Sequence, residues 1–158
     1  MKAIQRLNAG AWIVIVAAVL MLAATILFQV SIGTSQQYFD TSSNGAIIAL
    51  DVVGIVLAVV AVVLSMVRTE EGHSKIVAFI IDVLLIGACI CVCATVGMMI
   101  GSIATEFAYT YLSDFNVGTV KETFMPQALM QAVAAIVIVL VAFIAACVGG
   151  WFIKKYQD

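Results

Sequence analysis

The sequence predicts an all-α integral membrane protein, with four transmembrane helices in an antiparallel up-down bundle and both termini in the cytoplasm. The 158 residues are 65 % hydrophobic and only 10 % charged, with one proline and a mean hydropathy of +1.21. A soluble domain is about 45–50 % apolar and about 25 % charged. Together with a formal net charge of −2, this composition excludes a water-soluble globule, a disordered chain and a basic nucleic-acid binder.

Four apolar segments are each long enough to cross a hydrocarbon core of about 30 Å, which takes about 20 residues of helix. They cover residues 10–30, 46–67, 76–100 and 126–153 and form a single membrane domain over residues 1–158. Strands of outer-membrane barrels alternate in polarity over about 10 residues, whereas these segments do not, so we expect helices. The first apolar stretch exceeds the roughly 7–15 residues of a cleaved signal peptide, which favours an uncleaved anchor.

The segment boundaries carry helix-start signals. Ser42 and Ser43 predict a turn and an N-cap before the second helix, and Ser74 predicts an N-cap before the third. Pro126 fits the first turn of the fourth helix, where a missing N–H is tolerated.

The distribution of basic residues predicts the orientation. Six of the seven Lys and Arg residues fall on one side of the predicted spans, namely Lys2, Arg6, Arg68, Lys75, Lys154 and Lys155. Because basic residues concentrate on the cytoplasmic side, the N-terminus, the loop 68–75 and the C-terminus are expected inside, and the loops 31–45 and 101–125 outside. This pattern predicts a multi-pass protein of the plasma (cytoplasmic) membrane. The lack of N-x-S/T sites and the compact size favour a bacterial source.

Small residues recur along one face of several helices, as in membrane helices that pack closely. The candidate packing residues are Gly54, Ala58, Ala61 and Ser65 on the second helix, Gly97 and Gly101 on the third, and Ala142, Ala146 and Gly150 on the fourth. The short loop 68–75 predicts that the second and third helices are antiparallel neighbours. The stripes fit helices of the same chain or of partner subunits, and the sequence leaves both open.

Two acids, Asp51 and Asp82, interrupt otherwise apolar spans. Asp51 is expected about 8 Å inside the outer boundary and Asp82 about 9 Å inside the inner one, so the two cannot share a proton. Asp51 continues the small-residue stripe of its helix and is therefore expected to face another helix. Each acid has three interpretations: a hydrogen-bonded structural group, a docking point for a partner helix, or a step for protons or cations.

The remaining chemistry is sparse. Cys89, Cys91, Cys93 and Cys147 all lie within spans, where thiols are poorly reactive, so we expect them to act as packing residues. The only histidine, His73, falls in a loop. No nucleophile–base set, phosphate loop or metal-ligand spacing is present, so the sequence predicts no catalytic, cofactor or metal residues and no enzyme.

The predicted outer loop 101–125 is rich in aromatic residues. Phe107, Tyr109, Tyr111 and Phe115 fit either an interfacial aromatic belt or a recognition surface. Taken together, the sequence predicts a non-enzymatic accessory or assembly subunit of a larger membrane complex such as a transporter. The expected partners are the lipid bilayer and helices of other membrane proteins, in a hetero-complex or a homo-oligomer, without nucleic acid. The alternative is a small oligomeric transporter or channel for protons, cations or a small solute, using Asp51 and Asp82.

Overall fold

The structure, a computed structural model, describes residues 9–34, 39–66, 75–113 and 127–155. The side chains at 75, 105–113, 127, 154 and 155 lie outside this description. The described residues form the helices α1 (Ala9–Thr34), α2 (Asn44–Ser65), α3 (Lys75–Ser113) and α4 (Gln127–Lys155). Each contains a stretch long and apolar enough to span a membrane. The predicted fold class is therefore confirmed at this level: an all-helical protein with four helices that could cross a bilayer.

Two helices extend further than the apolar pattern predicts. α1 continues to Thr34 and α3 to Ser113, so residues 31–34 and 101–113 are helical rather than parts of loops. The apolar part of α3 ends near Ala104. Residues 102–113 contain neither proline nor glycine, so nothing local ends the helix where the apolar stretch stops. The 39 residues of α3 measure about 58 Å, and its last turns therefore extend beyond a hydrocarbon core of about 30 Å.

The connection between α1 and α2 is fastened to the bundle. The Asp40 backbone N–H donates to the Ser102 carbonyl at 3.0 Å, and the Ser102 hydroxyl donates to the Asp40 carbonyl at 2.8 Å. Phe39 is buried and meets Phe28 edge-to-face, with 5.9 Å between ring centroids. Ser43 is the N-cap of α2 as predicted, although its side chain makes no capping bond. The predicted boundary residues Ser74 and Pro126 lie outside the described residues.

The most extensive helix contact joins α1 and α4. On α1 one set of buried residues alternates at spacings of four and three, which is the period of coiled-coil packing, and a set on α4 follows the same spacing except for one step of seven between Ala142 and Gly149. They are Gly10, Val14, Ala17, Met21, Ala24, Phe28 and Ser31 on α1, and Ala128, Ala132, Ala135, Val139, Ala142, Gly149 and Ile153 on α4. The larger side chains of α1 lie in one core cluster with the alanines of α4, so small residues on one helix accommodate large ones on the other.

The second large contact joins α2 and α3, which are neighbours as the short loop predicts. Ala58, Ala61 and Val62 of α2 form a second core cluster with Ile81 and Ala88 of α3. α1 also contacts α2, and α3 contacts α4 over a smaller area. The bundle therefore has two tightly packed helix pairs and two looser seams, α1–α2 and α3–α4, and both candidate acids lie at these seams.

Candidate functional site

Asp51 is the most buried ionisable group in the part of the chain that the structure describes. Its side chain is 1 % exposed and lies on the face of α2 that also carries Gly54, Ala58 and Ala61. The Thr25 hydroxyl of α1 donates a hydrogen bond to Asp51 Oδ2 at 2.7 Å. This acid therefore faces another helix, as its place in the stripe predicts. Its second oxygen, Oδ1, is equally buried and has no hydrogen-bond partner among the described residues.

Polar side chains extend along the α1–α2 seam from Asp51 to the end of the bundle where α1 joins α2. One turn along α1 from Thr25, the Gln29 amide donates to Asn44 Oδ1 at 2.5 Å, and Asn44 is the first residue of α2. Seven residues of helix separate Asn44 from Asp51, a rise of about 10 Å. Two side-chain hydrogen bonds thus lead from the helix end into the apolar part of the α1–α2 seam.

The same seam contains a cavity, called here the α1–α2 groove, of about 410 Å³. Its floor includes Thr25, Gln29 and Asp51. The walls are the exposed apolar side chains Leu22, Ile26, Val30, Ile48 and Val52. In a bilayer these walls face the lipid, so the groove holds one buried carboxylate beneath an apolar surface.

Asp82 lies in a different cavity. The α3–α4 groove has a volume of about 580 Å³ and receives lining residues from all four helices. Asp82, Cys89 and Cys93 line it from α3, and Cys147 and Trp151 line it from α4. The two acids line separate grooves, one at each of the looser seams.

Two cysteines meet across the α3–α4 seam. Cys89 Sγ and Cys147 Sγ are 3.8 Å apart, and both residues are free thiols. The sequence places Cys89 and Cys93 on one face, and both line this groove, but it gives no signal that would pair Cys89 with a residue 58 positions away. A separation of 3.8 Å is an ordinary contact between two thiols, so the expectation that the cysteines act as packing residues stays a prediction.

Most of the predicted packing residues lie inside the bundle. Gly54 allows close approach of α3, because a Cβ at this position would lie 3.2 Å from Cys91 Cβ and 3.6 Å from the Ala88 carbonyl oxygen. Ala58, Ala61 and Ala142 are buried, and Ala146 packs against the core. A Cβ added at Gly150 would lie 3.1 Å from Leu85 Cδ1, a methyl group at the end of that side chain. Ser65 is half-buried and donates to the Val62 carbonyl of its own helix.

Gly97 and Gly101 lie on an exposed side of α3 in the part of the chain that the structure describes, and their packing against another helix, of this chain or of a partner subunit, stays a prediction. A Cβ added at either glycine would meet no atom of the described residues within 4 Å. The buried face of α3 at this level carries Thr95, Met99 and Ser102 instead. The spacing of the two glycines identifies a close-packing face, but spacing alone does not give the direction in which that face points.

A very close contact between α1 and α4 involves two glycines that the small-residue stripes omit. A Cβ on Gly10 would lie 2.5 Å from the Gly149 carbonyl oxygen, and a Cβ on Gly149 would lie 2.8 Å from the Gly10 carbonyl oxygen. The available signal was the spacing of four and three along α4, which passes through Gly149 rather than its neighbour Gly150.

The predicted recognition residues fall largely outside the description. Phe107, Tyr109 and Tyr111 lie on the helical backbone of α3, but their side chains are not among those described, and Phe115 lies outside the described residues. No group of three or more His, Cys, Asp or Glu side chains arranged to hold a metal occurs in residues 9–34, 39–66, 75–113 and 127–155.

The fold and these seams define the class: a multi-pass, all-helical protein whose four helices are apolar enough to cross a membrane. Comparison of the chain with known protein families, characterised proteins and solved structures finds no match.

Proposed function

We propose that this protein is a non-enzymatic accessory or assembly subunit of a larger membrane complex, and that it binds a helix of its partner along the outer side of α3. The observation that carries the proposal is the outward position of Gly97 and Gly101. Small residues four apart allow two helix backbones to approach closely, which drives helix association in lipid, where apolar surface alone gives no preference. Gly54, Ala58, Ala61 and Ala142 are buried against neighbouring helices of the same chain, whereas Gly97 and Gly101 are exposed among the described residues.

The surface available to such a helix is long enough. Exposed Cys93 lies one turn before Gly97 and also lines the α3–α4 groove, so the groove and the glycine face are continuous. From Asp82, at one end of the groove, to Gly101 the helix rises through 19 residues, which is about 28 Å. This length is close to the roughly 30 Å of a hydrocarbon core.

A photo-crosslinking experiment tests this proposal in the intact membrane. A photoreactive amino acid at Ile100, which is exposed and adjoins Gly101, is expected to crosslink to a partner of defined mass. The matched control is Val137, equally apolar and exposed on α4, which is expected to give no such product. Replacing Gly97 and Gly101 together by leucine should abolish the Ile100 product while leaving thermal stability unchanged. Equal products at Ile100 and Val137, or none at either, would contradict the proposal, and a product containing only this chain would identify a homo-oligomer.

We further propose an antiparallel up-down bundle in the plasma membrane with both termini in the cytoplasm. The contact of Gly10, near the start of α1, with Gly149, near the end of α4, supports opposite directions for these two helices. Thr25 in the second part of α1 meets Asp51 in the first part of α2, which supports the same alternation. Labelling of a cysteine placed at Asp40 from outside intact cells, in a background without the natural cysteines, tests the orientation.

The alternative is a small oligomeric transporter or channel that uses Asp51 and Asp82. The unpartnered Oδ1 of Asp51 favours it, since buried carboxylates in spans are common in transport sites. The location of the two acids in separate grooves argues against a single relay through both. Proton or cation flux in liposomes that disappears with Asp51→Asn would favour this alternative over the accessory role.

A further inference from the structure

We infer that the α1–α2 groove is a binding site for a monocationic amphiphile, a primary amine on an apolar body, whose ammonium group is held by Asp51. This inference does not depend on the accessory role proposed above. Its starting point is the unsatisfied oxygen of Asp51, which is buried and has no partner among the described residues. Leaving a buried acceptor without a donor is unfavourable, and the penalty is larger for a charged group. A donor from outside the chain would remove it.

The single negative charge of the Asp51 carboxylate favours a ligand that carries one positive charge. Among the described residues that line this groove Asp51 is the only acid, and its polar neighbours there, Thr25 and Gln29, are neutral. Thr25 already donates to Oδ2, so the position left open is an acceptor on Oδ1. A primary ammonium supplies three N–H donors, of which one satisfies Oδ1 and another fits the carbonyl oxygen of an amide such as that of Gln29.

The apolar walls of the groove favour a ligand whose uncharged part is apolar. Five of the eight lining residues are leucine, isoleucine or valine, and all five are exposed on the lipid-facing side. An inorganic ion would gain nothing from these walls, and the described residues offer no metal-ligand cluster. The volume of about 410 Å³ falls within the roughly 300–1,000 Å³ typical of small-molecule sites.

The polar side chains along the α1–α2 seam indicate the end from which a ligand would enter the groove. Gln29 and Asn44 are hydrogen-bonded at the end of the seam, and Thr25 and Asp51 lie about 10 Å deeper. An amine that enters between the helices from this end meets polar groups along the seam, while its apolar body remains against the lipid-facing walls. A lysine of a partner helix has the same chemistry, but the lining residues of this groove extend only from Leu22 to Val30 along α1, about 12 Å, which fits a compact molecule rather than a second membrane-spanning helix.

Binding of n-hexylammonium to the purified protein in nanodiscs of zwitterionic lipid tests the inference. We expect saturable binding by calorimetry, at least tenfold weaker binding of hexanol, which lacks the charge, and at least tenfold weaker binding of methylammonium, which lacks the apolar chain. Asp51→Asn, which keeps the shape of the side chain, should weaken hexylammonium binding at least tenfold. The matched control Asp82→Asn should leave it unchanged.

A second variant keeps the test independent of the fold. Ile26→Trp fills the groove from its exposed wall and leaves Asp51 in place, so it should also weaken binding of hexylammonium while the melting temperature is retained. Equal affinity of hexylammonium for wild type and Asp51→Asn would overturn the inference. So would binding of sodium or methylammonium as tight as that of hexylammonium, because an apolar body would then be irrelevant.

Discussion

Replacing Gly149 by alanine tests whether α1 and α4 approach as closely as the structure shows. A Cβ at this position would lie 2.8 Å from the Gly10 carbonyl oxygen and 2.9 Å from Val14 Cγ2, whereas ordinary contact begins at 3.4 Å. The backbone oxygen cannot rotate away, so the two helices must separate locally by about 0.6 Å, from 2.8 to 3.4 Å. Overpacking of this kind typically destabilises by about 1–3 kcal/mol.

The neighbouring glycine provides the matched control. A Cβ on Gly150 would meet only Leu85 Cδ1, at 3.1 Å, and this methyl group ends a rotatable side chain. Both changes gain the same helix propensity, about 0.8–1 kcal/mol for Gly to Ala, so this gain cancels when the two variants are compared. Gly149→Ala should therefore be less stable than Gly150→Ala by about 1–3 kcal/mol.

The difference is measured by titrating SDS into the protein in a mild maltoside detergent and following unfolding by the fluorescence of Trp12 and Trp151. Gly97→Ala is the third arm, because its Cβ would meet no atom of the described residues within 4 Å, and its stability should equal or exceed that of wild type. Equal unfolding midpoints for Gly149→Ala and Gly150→Ala would show that the reasoning about the α1–α4 contact is wrong.

Three further predictions concern single interactions. Thr25→Val should destabilise by about 1–2 kcal/mol in the same titration, because Asp51 loses its hydrogen-bond donor, and Thr25→Ser should not; equal midpoints for the two variants would contradict this. Copper phenanthroline should form an intramolecular disulfide between Cys89 and Cys147, seen as a mobility change that Cys147→Ser abolishes and Cys91→Ser does not. The Ser42 backbone N–H and hydroxyl lower the pKa of Asp40, so NMR titration should place it below an ordinary carboxyl, and Ser42→Ala should raise it partly, since the backbone bond, the larger cause, remains. Because the folded pKa is lowered, any stabilisation from Asp40 is present above the ordinary carboxyl pKa and lost as pH falls through the lowered value.

The helices could be predicted from the sequence because a membrane span is recognised by its apolar composition over about 20 residues. This composition can be read without knowing which other helices pack against the segment. The inward direction of Asp51 could be predicted for a related reason. The acid shares a helix face with Gly54, Ala58 and Ala61; a charged side chain is unfavourable towards lipid, and small residues allow another helix to approach closely. The end of α3 was predicted wrongly because the limit of an apolar stretch marks the edge of the membrane, not the end of a helix.

The orientation of Gly97 and Gly101 could not be predicted for a different physical reason. In a water-soluble helix polarity distinguishes the inner face from the outer one, but these helices are apolar all round, so only side-chain size remains as a signal. Size shows where close approach is feasible and not which helix approaches. The pairing of Cys89 with Cys147 depends likewise on how α3 and α4 pack, which no local pattern contains.

The two looser seams of the bundle differ chemically, and this difference separates the two proposals. The α1–α2 seam carries an unpartnered carboxylate beneath lipid-facing walls, which suits a small charged ligand. The outer side of α3 carries exposed glycines beside a long apolar groove, which suits a helix. Since Asp51 lies on α2 and the two exposed glycines lie on α3, Asp51→Asn should leave crosslinking at Ile100 intact, and the double leucine variant at Gly97 and Gly101 should leave hexylammonium binding intact. If either change abolished both activities, the two seams would be coupled through the bundle, and neither surface could then be treated as a site of its own.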